Sequence, residues 1–167
     1  MKNLFDLTGR RALITGSSQG IGYALAEGLA QHGAEVIING RTPESVKRAV
    51  ESLKDQGLSA HAAIFDVTSK GAAKEGIDAI ETDIGPLDIL INNAGMQFRT
   101  PLEDFPADKW ELLLTTNISS VFYVGQAAAK PMIARGRARS STSPPFKANW
   151  RAPALLPTPR PRARCAI

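Results

Sequence analysis

The sequence predicts an α/β protein built on a doubly wound parallel sheet, and three observations support that expectation. Short apolar runs alternate with stretches of helical spacing over residues 1–135. A glycine-rich segment, Thr15-Gly16-Ser17-Ser18-Gln19-Gly20-Ile21-Gly22, joins the first apolar run to the first helical stretch. No apolar run approaches the length that spans a membrane. Strands that alternate with helices imply parallel pairing through right-handed crossovers.

The elements follow in order. Arg11–Thr15 reads as a strand, Gly20–His32 as a helix carrying Ile21, Leu25 and Leu29 at helical spacing, and Glu35–Asn39 as a second strand. Thr42-Pro43-Glu44 reads as a helix start, with a capping hydroxyl and proline at the first helical position. That helix runs to about Gln56, where Gly57 stops it. Ala60–Phe65 is a third strand, Ser69–Ile84 a third helix ended by Gly85-Pro86, and Asp88–Ile91 a fourth strand. Pro106–Ala134 is helical, with Trp110, Leu113, Leu114, Ile118, Val121, Phe122 and Val124 on a broad apolar face. Pro131 lacks a backbone donor and crowds the preceding turn, so a kink or early end is expected there.

Strand, glycine turn and helix in succession form an arrangement that binds a dinucleotide pyrophosphate. Gly16 can turn the chain as the strand ends, Gly20 lets the backbone approach phosphate, and Gly22 lets the helix pack close to the strand. Free amides and the positive helix end then face the anion. A purely structural turn is the alternative, and the strand-to-helix context favours the anion site.

Composition narrows the function classes. The chain has 167 residues, is 43% hydrophobic and carries a single cysteine, Cys165. One cysteine permits no internal disulfide, no long apolar leader follows Met1, and a cytoplasmic protein is expected. His32 and His61 have no partner at ligand spacing, so no metal site is expected. The net charge of +4 is unevenly spread. Every acid lies at or before Glu111, whereas six Arg and one Lys lie beyond Gly136, so the body is mildly acidic and the tail basic. With only Phe146 and Trp150 as aromatics and no recognisable nucleic-acid module, the tail does not read as a nucleic-acid arm, and neither nucleic acid nor membrane is expected as a partner.

The glycine turn, Asp66-Val67 after the third strand, Asn92-Asn93-Ala94-Gly95 after the fourth, and Asn117 in the long helix form one set. Together they resemble the classical short-chain dehydrogenase/reductase family, over about Leu7 to Gly136. Within it, the run from Asn93 to Pro101 is most similar to members that interconvert gluconate and 5-ketogluconate with a nicotinamide cofactor. The resemblance implies a Rossmann-type fold, of which residues 1–135 are the N-terminal part. It implies that Gly16, Ser17, Ser18, Gly20, Ile21 and Gly22 cradle the pyrophosphate. Asp66 binds the adenine amino group with Val67 beside it, and Asn92, Asn93, Ala94 and Gly95 brace the sheet and line the groove. Asn117 is the helix-kink asparagine that holds a water in the proton relay. The substrate class implied is a sugar acid or similar alcohol or ketone, and the intact family forms homo-oligomers.

Cofactor choice has its own physics. Enzymes using NAD place an acid after the second strand to bind the ribose hydroxyls. Here that place reads Asn39-Gly40-Arg41, with no carboxylate to repel a 2′-phosphate and an arginine that can pair with it. NADP is therefore expected, with NAD as the other choice and a solvated loop arginine as the alternative for Arg41.

The family pattern then breaks. Its chemistry needs a tyrosine four residues before a lysine, with a serine upstream. Four beyond Tyr23 is Glu27, and four beyond Tyr123 is Ala127. Ser140, Ser141 and Ser143 sit in a run that does not read as a strand. Six of the eleven prolines fall in residues 136–167, a segment expected to be disordered. Codons that can encode Arg137–Phe146, shifted by one inserted base, spell Arg-Gly-Lys-Ile-Val-Asn-Ile-Ala-Ser-Val. The same shift turns Pro157–Arg162 into Tyr-Thr-Ala-Thr-Lys at the family's spacing. The tail thus reads as a frameshift product and the chain as catalytically inactive, with a non-catalytic dinucleotide-binding module as the rival. An uncovered sheet edge at Asp88–Ile91 and an uncovered apolar face around Trp110, Leu114, Ile118 and Phe122 are also expected.

Overall fold

The computed structural model describes residues 5–136 and, as backbone, 139–142. Strand β1 (Arg11–Ile14) leads to α1 (Gly20–Gln31), β2 (Glu35–Gly40), α2 (Pro43–Asp55), β3 (Ala60–Ile64) and α3 (Lys70–Ala79). A wide π-helical turn, Ile80–Ile84, extends α3 towards β4 (Ile89–Asn92). A short 3₁₀ turn, Leu102–Asp104, precedes α4 (Ala107–Leu114), and a second wide turn, Thr115–Ser119, joins α4 to α5 (Ser120–Ala134). Strand β5 (Arg139–Thr142) follows. All pairings are parallel, in the order β3-β2-β1-β4-β5, so the chain reverses its direction of winding between β3 and β4.

Alternation along the strands builds two cores. Leu13 of β1, Ile37 of β2 and Leu90 of β4 face one side, where α3 and α5 add Ala73, Ile77, Val124, Ala128 and Met132. Ala12, Ile14, Val36 and Ile38 face the other, against Ala26 and Ala30 of α1 and Val46, Ala49, Val50 and Leu53 of α2. Both faces are covered, which is why the strands read as continuous apolar runs. Each fully buried Leu or Ile contributes about 1.5–3 kcal/mol.

Three local expectations are corrected. The Thr42 hydroxyl makes no cap bond; Ser45 Oγ instead donates to the Thr42 carbonyl at 2.9 Å. Of the kink or early end expected at Pro131, the early end does not occur: α5 passes through Pro131 to Ala134, with Met132 buried in the core in that last turn. The edge expected at β4 is paired, because β5 aligns Arg139 with Ile89 and Thr142 with Asn92. Arg139–Thr142 contains no proline, and ladder bonds are made by backbone groups whatever the side chain, so Ser140 and Ser141 do lie in a strand. Within the segment 136–167 expected to be disordered, Arg139–Thr142 is thus a strand, whereas Ser143 and the residues after it lie outside the described residues.

The expected apolar face is exposed. Trp110 is 55% accessible, Ile118 62% and Phe122 60%. Arg135 closes the other end of α5: its guanidinium pairs with Glu81 and donates to the Leu87 carbonyl at 2.9 Å, tying the helix to the approach of β4.

Gly76 of α3 lies flat against the Phe65 ring, and a Cβ there would sit 2.4 Å from Phe65 Cδ1. We expect Gly76→Ala to displace that buried ring and lower stability by about 1–3 kcal/mol, measured by urea unfolding. An unchanged midpoint would show that α3 can move away freely.

Candidate functional site

The winding reversal places a crevice beyond the C-terminal ends of β1 and β4, the position at which open α/β sheets bind ligands. The glycine turn enters it from β1. Gly16 has φ +60° and Gly20 φ +61°, a backbone region that costs side-chain-bearing residues energy. A Cβ on Gly20 would meet nothing within 4 Å, so the space before the helix is open. Gly22 is the opposite case. A Cβ there would lie 2.4 Å from Asn93 Nδ2 and 2.5 Å from the Gly16 carbonyl, so only glycine lets α1 start this close to the sheet.

A clamp from β4 fixes the turn. Thr15 Oγ1 accepts from the backbone amides of Asn93 and Ala94 at 2.9 and 3.0 Å. Asn93 Nδ2 donates to the carbonyls of Thr15 and Gly16 at 3.0 and 3.1 Å. With those carbonyls turned towards Asn93, the first-turn amides of α1 remain without intrahelical partners.

A second hub comes from β2. Asn39 is 1% exposed, and its Nδ2 donates to the carbonyls of Ala63 and Phe65 at 3.1 and 3.2 Å. Its Oδ1 accepts from the Gly16 amide at 3.3 Å. Ser17, fully buried, exchanges bonds with the Asn39 backbone and donates its hydroxyl to the Ile14 carbonyl at 2.6 Å. The side chain of Ser17 therefore serves the turn's architecture, and the ring of contacts reaches β3.

The resulting cleft encloses about 570 Å³, a volume suited to a sizeable organic ligand. Of the residues expected from sequence, Gly16, Ser18, Arg41, Asp66, Val67, Ala94 and Gly95 line it. Ser17, Gly22 and Asn93 stand behind the lining as its support, and Ile21 projects to solvent at 74% exposure. Arg41 is the cation of the lining and Asp66 its carboxylate. Arg41 is exposed and makes no hydrogen bond or ion pair among the described residues. Asp66 Oδ1 accepts from both the amide and the hydroxyl of Thr68, at 2.9 and 2.7 Å.

At the other end, Met96, Leu112 and Thr116 complete the lining. Asn117 sits in the wide turn that joins α4 to α5. Its Oδ1 accepts from the Met96 amide at 2.8 Å and its Nδ2 donates to the Met96 carbonyl at 3.0 Å. Both polar atoms of that side chain thus grip the loop after β4. A π-type turn leaves carbonyls out of the regular α-helical ladder, and such turns recur at functional sites. Asn39, Thr68, Gln19 and Met96 were not read as site residues from the sequence. Their only sequence signal is position, immediately beside residues that were.

The free first-turn amides, the open space at Gly20, the free cation and the half-free carboxylate fit a dinucleotide. Among the described residues, no group of three or more His, Cys, Asp or Glu is placed to hold a metal, and no helix is long and apolar enough to cross a membrane.

Comparison with known proteins agrees with this geometry. A family profile described as short chain dehydrogenase matches residues 10–140. Gluconate 5-dehydrogenase of Gluconobacter oxydans is 54% identical over 137 residues, covering 82% of this chain and 54% of that protein. The 5-keto-D-gluconate 5-reductase of Escherichia coli K12 is 47% identical over 135 residues, covering 81% of this chain and 53% of that protein. A crystal structure of gluconate 5-dehydrogenase from Burkholderia cenocepacia in complex with NADP and tartrate superposes with a TM-score of 0.80 at 46% identity. It covers 83% of this chain and 54% of that one. The chain thus spans about half the length of the relatives it matches.

Replacing Asn39 by Asp removes both amide donors and aims a carboxylate at two carbonyl oxygens. We expect Asn39→Asp to cost on the order of 3 kcal/mol or more, since a buried charge would face two carbonyl oxygens with only the Gly16 amide donating to it. Thermal unfolding checks this, and a variant as stable as the parent would show that the hub is dispensable.

Proposed function

Because this chain belongs to the short-chain dehydrogenase family, we propose that its cleft binds NADP as the cofactor half of an oxidoreductase acting on a sugar acid. The observation that carries this reading is the cleft itself, with the glycine turn, Arg41 and Asp66 on one lining. The pyrophosphate would lie against the turn from Gly16 to Gly22, held by the backbone amides of Ser17, Ser18, Gly20 and Ile21 and the positive end of α1. Asp66 and Val67 would take the adenine, and Asn93, Ala94 and Gly95 the end nearest the reacting carbon. The bound cofactor supplies hydride, and the protein supplies its position.

Preference for the 2′-phosphate rests on three neighbours. Asn39 turns its side chain inward, so it offers the ribose nothing. Gly40 has no side chain, and a Cβ there would lie 2.8 Å from Val46 Cγ2, which disfavours an acid at that place. Arg41 remains with its guanidinium free for a phosphate. The names of the relatives point to gluconate and 5-ketogluconate as the substrate pair.

The proton step has no tyrosine–lysine donor in these 167 residues, since Glu27 and Ala127 stand where lysine would follow Tyr23 and Tyr123. We therefore read the chain as a cofactor binder without turnover. The same absence favours a second reading, a non-catalytic dinucleotide-binding module. The change of composition beyond Gly136, together with the family-like residues that codons able to encode it spell when shifted by one base, favours a third, a frameshift product without function.

Titration calorimetry on the full chain should show NADPH binding more tightly than NADH. Arg41→Ala should weaken NADPH by about tenfold or more and leave NADH nearly unchanged. Equal affinities in the parent chain would remove Arg41 from the site, and failure to bind either would favour the functionless reading.

Turnover is the second check. The full chain should reduce 5-ketogluconate no faster than background, because losing a proton donor costs about 10²–10⁴-fold. Robust turnover by these 167 residues would overturn the non-catalytic reading and require another donor.

A further inference from the structure

We propose that Thr68 is a positioning residue that gives this cleft its preference for adenine. By holding one oxygen of Asp66 with both its amide and its hydroxyl, it presents the other oxygen to the exocyclic amine of the base. The proposal rests on the dinucleotide reading above.

The argument starts from the carboxylate. Rotation about the last bond of an aspartate side chain is soft and roughly two-fold, so a single donor leaves it free to swing. Here two donors converge on the same oxygen, Oδ1, from the Thr68 amide at 2.9 Å and the Thr68 hydroxyl at 2.7 Å. Oδ2 has no hydrogen-bond or ion-pair partner among the described residues, and Asp66, Val67 and Thr68 all line the cleft. Any residue at 68 other than proline would supply the amide; only the hydroxyl is particular to threonine or serine. The backbone around it is independently held. The Ser69 amide donates to the Asp66 carbonyl at 3.2 Å, and the Phe65 carbonyl accepts from Asn39. The hydroxyl is therefore free to set the carboxylate's rotation rather than the loop's shape.

An ionised carboxylate accepts hydrogen bonds and cannot donate them. Fixed in this rotation, Oδ2 accepts from the amine of adenine and rejects hypoxanthine, whose carbonyl at the same ring position is itself an acceptor. Sites that satisfy a ligand's donor discriminate strongly against analogues that lack it. A carboxylate free to swing would lose part of that discrimination.

The test measures binding of NADPH and of reduced nicotinamide hypoxanthine dinucleotide phosphate to the full chain by titration calorimetry. The parent should favour the adenine form by about tenfold or more, and Thr68→Val should lower that preference to roughly twofold. Thr68→Ser, which keeps the hydroxyl, should retain it. Thr68→Ala removes the same hydroxyl with a smaller side chain and replaces the valine variant should that one misfold. A purely structural role would weaken both cofactors equally and leave their ratio unchanged. An unchanged ratio in the valine or alanine variant, with the parent discriminating, overturns the proposal and leaves the dinucleotide reading standing. A parent that binds both forms equally overturns the role given to Asp66 and the proposal with it. A parent that binds neither overturns the dinucleotide reading itself.

Discussion

The close approach of α1 to the end of β4 is the constraint on which the cleft depends. Helix and sheet meet where Gly22 faces Asn93 and Gly16 faces Ala94, with no room for a Cβ at either glycine. That closeness lets Asn93 hold the carbonyls of Thr15 and Gly16, and so lets the first turn of α1 open towards the crevice. Sheet order matters for the same reason, because β1 and β4 are neighbours only where the winding reverses.

Around that contact the strands act as a wiring plan. Asn39 carries the constraint from the turn to β2 and on to the carbonyls that end β3, where Asp66 begins the next loop. Asn117 carries it from the α4–α5 junction to Met96. The residues that line the cleft are thus set by amide side chains, Asn39 buried at the end of β2 and Asn117 half-buried in the α4–α5 turn, each using donors and acceptors together. Such paired amides specify geometry, and the loss of Asn39 is the more costly because the groups it would leave unpaired are buried.

Much of this was legible in the sequence. The alternation of apolar runs placed four strands and the intervening helices within a residue or two, since both sheet faces are covered and each strand reads as a continuous apolar block. The glycine turn was legible because its positions answer to steric limits that only glycine meets. Asn39 was harder. In sequence it stands where a ribose-binding acid is sought, and only the direction of its side chain shows that it serves the interior. The wide turns at Ile80–Ile84 and Thr115–Ser119 were not separated from the flanking helices, because they are single turns inside longer runs of helical spacing. Strand β5 was missed because Arg139–Thr142 is polar, and polarity says little about backbone pairing at the end of a sheet.

The spacing of the clamp has a consequence for how such a chain acquires its shape during synthesis. The turn at Gly16 emerges early, but the side chain that orients its carbonyls, Asn93, follows it by 77 positions. The grip on Met96 needs Asn117, which is made later still. A nascent β1–α1–β2 unit therefore holds the right residues without the right shape, and closing so long a loop carries an entropic cost that local contacts do not offset. The glycine turn is among the first parts of the protein to be made and among the last to be finished.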